Sequence, residues 1–553
     1  MIKQLFSTLA IALTTTAFAQ WNTNTAINTP VTIASKAQDN IHAITDTKRG
    51  MILAWDDNRN NLTNATDIYA QRLRNNGLVK WTTGGVVICG DISIQKSSAI
   101  TDSDNGSAII AWEDYRNGNY DIYAQKIDSL GNVLWTADGI VVCSKANHQK
   151  NPKIISDNAG GAIVVWEDSA SFYFDVYAQR VNSLGVMQWA GNGVALCTAP
   201  NGQVNPKIDT DGAGGAIVTW QDKRNNSDYD IYAQAINATG TVKWTANGLV
   251  VCNATNVQNN PRIEPDGGGG AYISWVDKRN GTNVDIYAQR FNTTGVAQWA
   301  ANGLAVCSAT NNQSAQDMKY IGAGGLAIAW KDERSGKFEI YAQVLNPSGV
   351  TQQIANGVLL SNTSSLRSIN PNTVIDALGG CIVVWQDSTA TGFNVHSQKI
   401  NNTGAPQWTV GGETISSATS DQINATLVPD GLGGAIYAWE DRRNGDYDIY
   451  AHRLFSNGLP TVGIFEIENT KDFEVTCFPN PINENSIIKP SNVKSNWVIS
   501  VYDYTGKLID KQAVNKNDTY QIPTQQLSSG VYFYNIYLAE SNSTSRGLFI
   551  YTK

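Results

Sequence analysis

The sequence predicts an all-β chain: an eight-bladed β-propeller with four strands to a blade, its last blade completed by the N-terminal strand, followed by a small Ig-like β-sandwich. Three observations predict it. A Trp recurs eight times at intervals of 54 to 57 residues, at Trp55, Trp112, Trp166, Trp220, Trp275, Trp330, Trp385 and Trp439. An Asp stands two places after each one, at Asp57, Asp114, Asp168, Asp222, Asp277, Asp332, Asp387 and Asp441. Between these marks, short Val/Ile/Tyr/Trp runs alternate with Gly- and Asn-rich turns, and no amphipathic helical pattern follows the N-terminus.

The first segment, residues 1–19, reads as a secretory signal. Lys3 is its charged start, Leu5 to Thr16 a short apolar run, and Ala17-Phe18-Ala19 a small-x-small cleavage site. The run is too short to span a bilayer, and no other stretch approaches the ~20 apolar residues required, so no transmembrane segment is expected.

Residues 20–460 are expected to form the propeller. In the fourth repeat, Pro206 to Asp209 is strand one and Ala216 to Gln221 strand two, joined by the tight turn Asp211 to Gly215. Asp230 to Ile236 is strand three, and Thr241 to Cys252 carries strand four. A second Trp series falls at the strand-four position: Trp81, Trp135, Trp189, Trp244, Trp299 and Trp408, with Gln353 in the remaining slot. Trp21 belongs to this series although it precedes the first repeat. Gln20 to Ser35 therefore reads as the missing fourth strand of the last repeat, which would close the ring and remove its free edges. Seven Cys occur; Cys89, Cys143, Cys197, Cys252 and Cys307 hold one place in successive repeats, with Ser361 and Ser416 in two others. Equivalent places on stacked sheets lie about 10 Å apart, beyond the ~7 Å reach of a disulfide. Buried free thiols are expected.

The turn-plus-Trp element, as in Asp128-Ser-Leu-Gly131-Asn-Val-Leu-Trp135, resembles the tryptophan-docking motif of eight-bladed quinoprotein propellers. The resemblance covers about eight residues per blade and implies architecture, not chemistry. After a connector at residues 461–472 the repeat signature stops, and 473–553 read as alternating strands of a small sandwich. Phe478, Pro479, Asn480 and Pro481, the strand-turn at Val501 to Lys507 with Gly506 and Lys507, the segment Leu527 to Tyr532 with Gly530 and Tyr532, and the basic last residue Lys553 come in a particular order. This tail resembles the type A C-terminal sorting (Por) domain of the type IX secretion system of Bacteroidetes. The resemblance implies export, recognition by that secretion machinery as partner, and release or attachment at the cell surface.

The net charge is −8, carried by the body of the chain at about −10 over residues 20–470. That is a poor background for binding nucleic acid or anionic membranes. Arg at four places after Trp recurs as Arg59, Arg116, Arg224, Arg279, Arg334 and Arg443, and an acid opens strand three at Asp67, Asp121, Asp175, Asp230, Asp285, Glu339 and Asp448. Arg forks to carboxylates in fixed geometry, and recurrence in nearly every blade favours a structural clamp over eight binding sites. Two repeats lack the Arg, with Ala170 and Thr389. Their loops carry Phe172, Tyr173 and Phe174 in one, and Phe393 and His396 in the other, aromatic groups suited to contacting sugar or peptide. The connections Gln149 to Pro152, Gln203 to Pro206 and Gln258 to Pro261 are expected on the same face.

Chemistry-bearing motifs are scarce. The four His show no metal-ligand spacing, and there is no GxSxG elbow or phosphate-binding Gly loop. No cofactor is expected; acidic loops could hold Ca²⁺ but lack a dense DxDxDG pattern. No catalytic residue is assigned. The reading is a secreted or outer-surface binding or adhesion protein, its ligand carbohydrate or protein. An extracellular polysaccharide-degrading enzyme, glycosidase or lyase, using channel carboxylates is the alternative, and a structural surface-layer component a third.

Overall fold

Residues 1–460 and 461–553 form two compact units. The computed structural model describes residues 21–553 apart from 61–64, 170–171, 323–324, 363, 461–474, 479–481, 485, 492–494, 504–506, 539–542 and 552–553. The expected signal segment and connector, with Ala170, Pro479, Asn480, Pro481 and Gly506, lie outside the described residues.

In the first unit the described residues form eight four-stranded antiparallel sheets, one per repeat. Sheet four is representative: Gln203–Thr210, Ala216–Asp222, Asp230–Ile236 and Leu249–Cys252, paired in that order. Second strands such as Ala216–Asp222 are buried along their whole length. They are covered on both faces by neighbouring sheets, so they read as continuous apolar runs rather than alternating ones.

The eighth sheet takes its fourth strand from the N-terminus. Thr29–Thr32 pairs with Asp448–Leu454, placing Thr29 opposite Ala451 and Pro30 opposite Tyr450. The first strands lie against one another in succession, and that of sheet eight, Gln422–Pro429, lies against that of sheet one, Gln38–Thr45.

Strand four is shorter than the sequence suggests. Trp244 precedes Leu249–Cys252, in the connection that follows the bridge between Ile236 and Val242. Its series reaches out to the next sheet instead. The indole nitrogens of Trp81, Trp135, Trp189, Trp244, Trp299 and Trp408 donate at 3.0–3.3 Å to carbonyls of Ser129, Ser183, Ala238, Thr293, Pro347 and Ser456. Each ring lies on a turn glycine; a Cβ at Gly240 would stand 2.7 Å from Trp189. Trp21 makes the same contact from the eighth sheet to the first: its Nε1 donates to Asn75 O at 2.7 Å, and its ring lies against Gly77.

Every first strand carries a bulge. The third residue of each, Asn40, Ser97, Asn151, Asn205, Asn260, Ala315, Asn370 and Asn424, has φ between 51° and 56°. Asn holds six of the eight because it tolerates the left-handed region better than other side chains. The Gln-x-Asn-Pro segments are therefore part of strand one and not the preceding connection. Pro is accepted there because the strand is an edge that needs no further N–H.

The second unit holds a three-stranded sheet (Val475–Phe478, Ile487–Pro490, Tyr520–Gln521) and a four-stranded one (Trp497–Asp503, Leu508–Val514, Gly530–Leu538, Ser543–Tyr551). They share one core around Ile488, Trp497, Ile499, Tyr520, Ile536 and Phe549.

Candidate functional site

At the loop end of the first unit each Asp after Trp is enclosed. In seven sheets the Trp indole donates to it at 2.7–2.9 Å, and six of those sheets also carry the Arg. The Arg two places on grips the same carboxylate with Nε at 2.8–2.9 Å and with Nη2 at 2.5–2.6 Å. These pairs are Asp57–Arg59, Asp114–Arg116, Asp222–Arg224, Asp277–Arg279, Asp332–Arg334 and Asp441–Arg443. Each guanidinium also lies 3.8–4.1 Å over the centre of a strand-three Tyr ring. Four of them reach the Sγ of Cys89, Cys197, Cys252 or Cys307 in the preceding sheet at 3.1–3.2 Å. That contact gives the recurrent Cys position its role. All seven Cys are free, six of them buried, and burial pushes the Cys89, Cys143, Cys197, Cys252 and Cys307 thiols up to about 12.

The Arg forks onto one Asp rather than two carboxylates. The acid opening strand three is held by an Asn instead, as in Asn225 to Asp230 and Asn280 to Asp285, both at 2.9 Å. Burial pushes Asp230 and Asp285 up to about 6.

The two repeats without Arg differ from one another. In sheet three Lys145, from the preceding repeat, takes the vacant place: its Nζ lies 3.3 Å from Asp168 and 3.4 Å from the Tyr177 ring centre. Phe172 is fully exposed and Tyr173 half exposed on the loop, while Phe174 turns its carbonyl to the Gln203 amide at 2.7 Å. In sheet seven His396 is inside strand Phe393–Ile400 and not on the loop, since the flanking strands extend to Ser388 and Phe393. It stacks on Trp385 as Tyr does elsewhere, with ring centres 6.4 Å apart, and its Nε2 is 3.9 Å from Asp387. Burial raises the Asp387 carboxyl and lowers His396. Arg367 lies 6.0 Å from the Phe393 ring. The two aromatic groups belong to sheets three and seven and form no single cluster.

The eightfold pattern breaks most sharply along the inner strands. The bulge turns the fifth residue of each first strand into a central channel: His42, Ala99, Lys153, Lys207, Arg262, Asp317, Asn372 and Thr426. Two cavities of about 450 and 230 Å³ lie there, sharing His42 and Arg262. Sheets three, four and five contribute cations in succession. Arg262 Nε lies 3.5 Å from Asp317. Lys153 Nζ donates to Asn151 Oδ1 at 2.8 Å and to Pro152 O at 3.1 Å. Burial, then Arg262 and Lys153, lower Lys207 to about 7. Burial and the facing lysines lower His42 to about 4.

Two residues further along the strands stand Asp209, Glu264 and Lys319. Lys319 Nζ meets Glu264 Oε1 at 2.5 Å. Burial raises both carboxyls, with Asp209 raising Glu264 further and Lys319 opposing. Sequence reasoning missed these residues. The three cations have a signal, the place two after Asn in the Gln-x-Asn-Pro segments, which is basic in three successive repeats; Asp209, Glu264 and Lys319 have none. Among the described residues no group of three His, Cys, Asp or Glu is placed to hold a metal.

In the second unit, Phe478 ends its strand and Gly530 opens the strand that carries Tyr532. The Tyr532 hydroxyl donates to Ser528 O at 2.9 Å, and the Lys507 amide donates to Asp503 Oδ1 at 3.0 Å. Residues 476–550 match the secretion system C-terminal sorting domain. The sorting domain marks the protein for the type IX route, to be secreted or held at the outer cell surface. Among the described residues no helix is long and apolar enough to cross a membrane.

No curated protein matches the chain. Solved structures similar to it include a polysaccharide lyase of family PL25, an ulvan lyase bound to -[GlcA(1-4)Rha3S]-, at 11% identity over 78% of this chain and 97% of that one, with a TM-score of 0.42. A protein of unknown function from Dyadobacter fermentans is similar at 8% identity over 58% and 95%, with a TM-score of 0.34. An α-L-arabinanase of Penicillium chrysogenum complexed with arabinobiose is similar at 11% identity over 55% and 92%, with a TM-score of 0.32.

Proposed function

We propose that the protein is an extracellular binding protein, built as a closed eight-bladed propeller, whose carbohydrate or protein ligand is held in the central channel. The sorting domain, read as an Ig-like sandwich on its two sheets and shared core, delivers it. One observation supports channel binding above the rest. The loop-end charges are paired within the fold in sheet after sheet, whereas the inner strands change character around the ring, from His42 and Ala99 through the three cations to Asp317, Asn372 and Thr426. A ligand site breaks symmetry, and a scaffold repeats it. On this reading the six Asp–Arg pairs are structural clamps, and Phe172 with Tyr173 is an outer contact surface. Binding of the full chain to oligosaccharide panels and to surface proteins, compared with an Asn372→Trp variant that plugs the channel, tests the reading. Loss of binding with unchanged melting supports it. A ligand held equally by both proteins would place the site elsewhere.

A second reading, a polysaccharide-degrading enzyme, is favoured by Asp209 and Glu264. Two neighbouring carboxyls, Asp209 half-buried and Glu264 buried and paired with Lys319, are the kind of acid–base set that glycoside cleavage uses. Polymer turnover that vanishes in Asp209→Asn and Glu264→Gln would establish it, and unchanged turnover would remove it.

A further inference from the structure

We propose that Lys153, Lys207 and Arg262 form a site for one anionic group, a carboxylate or sulfate ester, carried on a saccharide in the channel. This rests on the channel-binding reading above and names the ligand chemistry. Three neighbouring sheets place a cation at one register, on the wall of the 230 Å³ cavity. Like charges brought together inside a protein repel and lose hydration, so such a cluster is stable only when its charge is balanced. The balance within the chain is incomplete. Arg262 has Asp317, and Glu167 and Glu113 bear on Lys153. Among the described residues Lys207 has no hydrogen bond or ion pair; the charges that reach it are Arg262, Lys153, Glu167 and Asp317. The whole chain is acidic, at −8, so the cluster is a local reversal of sign rather than part of a basic surface.

The opposite wall indicates what carries the anion. Asn370, Asn372, Asn424, Thr426 and Gln386 line the 450 Å³ cavity. Gln386 is 2% exposed, and its Nε2 is buried without a hydrogen-bond partner. A buried donor left unpaired costs stability until something accepts from it. Amides and hydroxyls both donate and accept, as sugar hydroxyls do. A wall of such groups facing three cations fits a hydroxyl-rich ligand with one negative group.

The test is calorimetry on the full chain with four probes: an oligogalacturonate, its methyl ester, a sulfated galactan oligosaccharide and an oligo-aspartate. The expected result is that one or both acidic saccharides bind, each at least about 10-fold tighter than the ester and more weakly as salt rises. Carboxylate and sulfate are told apart by which saccharide wins. Lys207→Gln should weaken the acidic saccharide about 10-fold or more, the loss of one charge-assisted hydrogen bond, and leave the ester unchanged. Lys207→Arg should retain binding. Lys153→Gln serves as a second variant should Lys207→Gln fail to fold. Saccharides that bind in the channel irrespective of charge would overturn this inference and leave the channel reading intact. Oligo-aspartate binding tighter than any saccharide would overturn the saccharide assignment. No binding by any probe would overturn the inference, and the channel reading would then be judged by the Asn372→Trp comparison with neutral and protein ligands.

Discussion

Trp21→Ala tests closure of the ring with a single side chain. Trp21 is 6% exposed, rests on Gly77 and donates to Asn75 O, a carbonyl that also accepts from Arg453 Nη1 at 2.9 Å. Truncating a buried Trp costs about 3–5 kcal/mol, and the lost indole hydrogen bond accounts for about 1 kcal/mol of that. Trp189, 8% exposed, bonds Ala238 O and rests on Gly240, and so makes the same contact in mid-array. In a closed ring the two positions are equivalent, so Trp21→Ala and Trp189→Ala should each lose about 3–5 kcal/mol. In an open array Trp21 would be a terminal residue whose loss costs little. Urea unfolding of the full chain, followed by circular dichroism and by fluorescence, compares the midpoints. Coincidence of the two probes checks that unfolding is cooperative. A Trp21→Ala protein within about 1 kcal/mol of wild type, beside a Trp189→Ala protein that loses several, would refute closure.

Other consequences follow from the same contacts. Asp222→Asn removes the buried carboxylate that holds the part-buried Arg224 guanidinium and should cost about 1.5–3 kcal/mol in chemical denaturation; a loss below about 1 kcal/mol would show that the clamp is ornamental. Burial raises the Asp56 and Glu440 carboxyls to about 7. Both are proton-bound in the fold at a pH where the unfolded chain has released its protons. Their contribution is therefore complete below about pH 4 and lost as pH rises to about 7. The stability difference between wild type and Asp56→Asn should shrink across that window, and a flat difference would contradict the burial argument. Seven thiols per full chain should react with a thiol reagent in denaturant, while the six buried ones should resist it in the native state; three or fewer in denaturant would mean disulfides.

The repeat was legible because all eight sheets solve one packing problem with the same Trp and Asp. What the sequence concealed has particular causes. Trp244 reads as part of strand four because it is apolar and near, yet its partner Thr293 is 49 residues away. Gln-x-Asn-Pro was read as a connection because Asn and Pro usually mark turns; here Asn supplies a bulge and Pro an edge. Lys145 replaces the Arg missing at position 170 from a different repeat, so no inspection of one repeat reveals it. Lys153, Lys207 and Arg262 each look like a lone solvated cation until the bulge is known to aim their position into the channel. The exposed Phe172 is legible in its loop, whereas His396 reads as a loop residue because strand ends are hard to place in a run with few apolar residues.

The central claim is that the channel holds the ligand. The measurement that tests it most directly is a structure of the full chain soaked with mixed acidic and neutral oligosaccharides. Ligand density is expected in the channel, with a negative group within hydrogen-bond distance of Lys207 and its neighbours Lys153 and Arg262. Density at Phe172 and Tyr173 with the channel empty would contradict it.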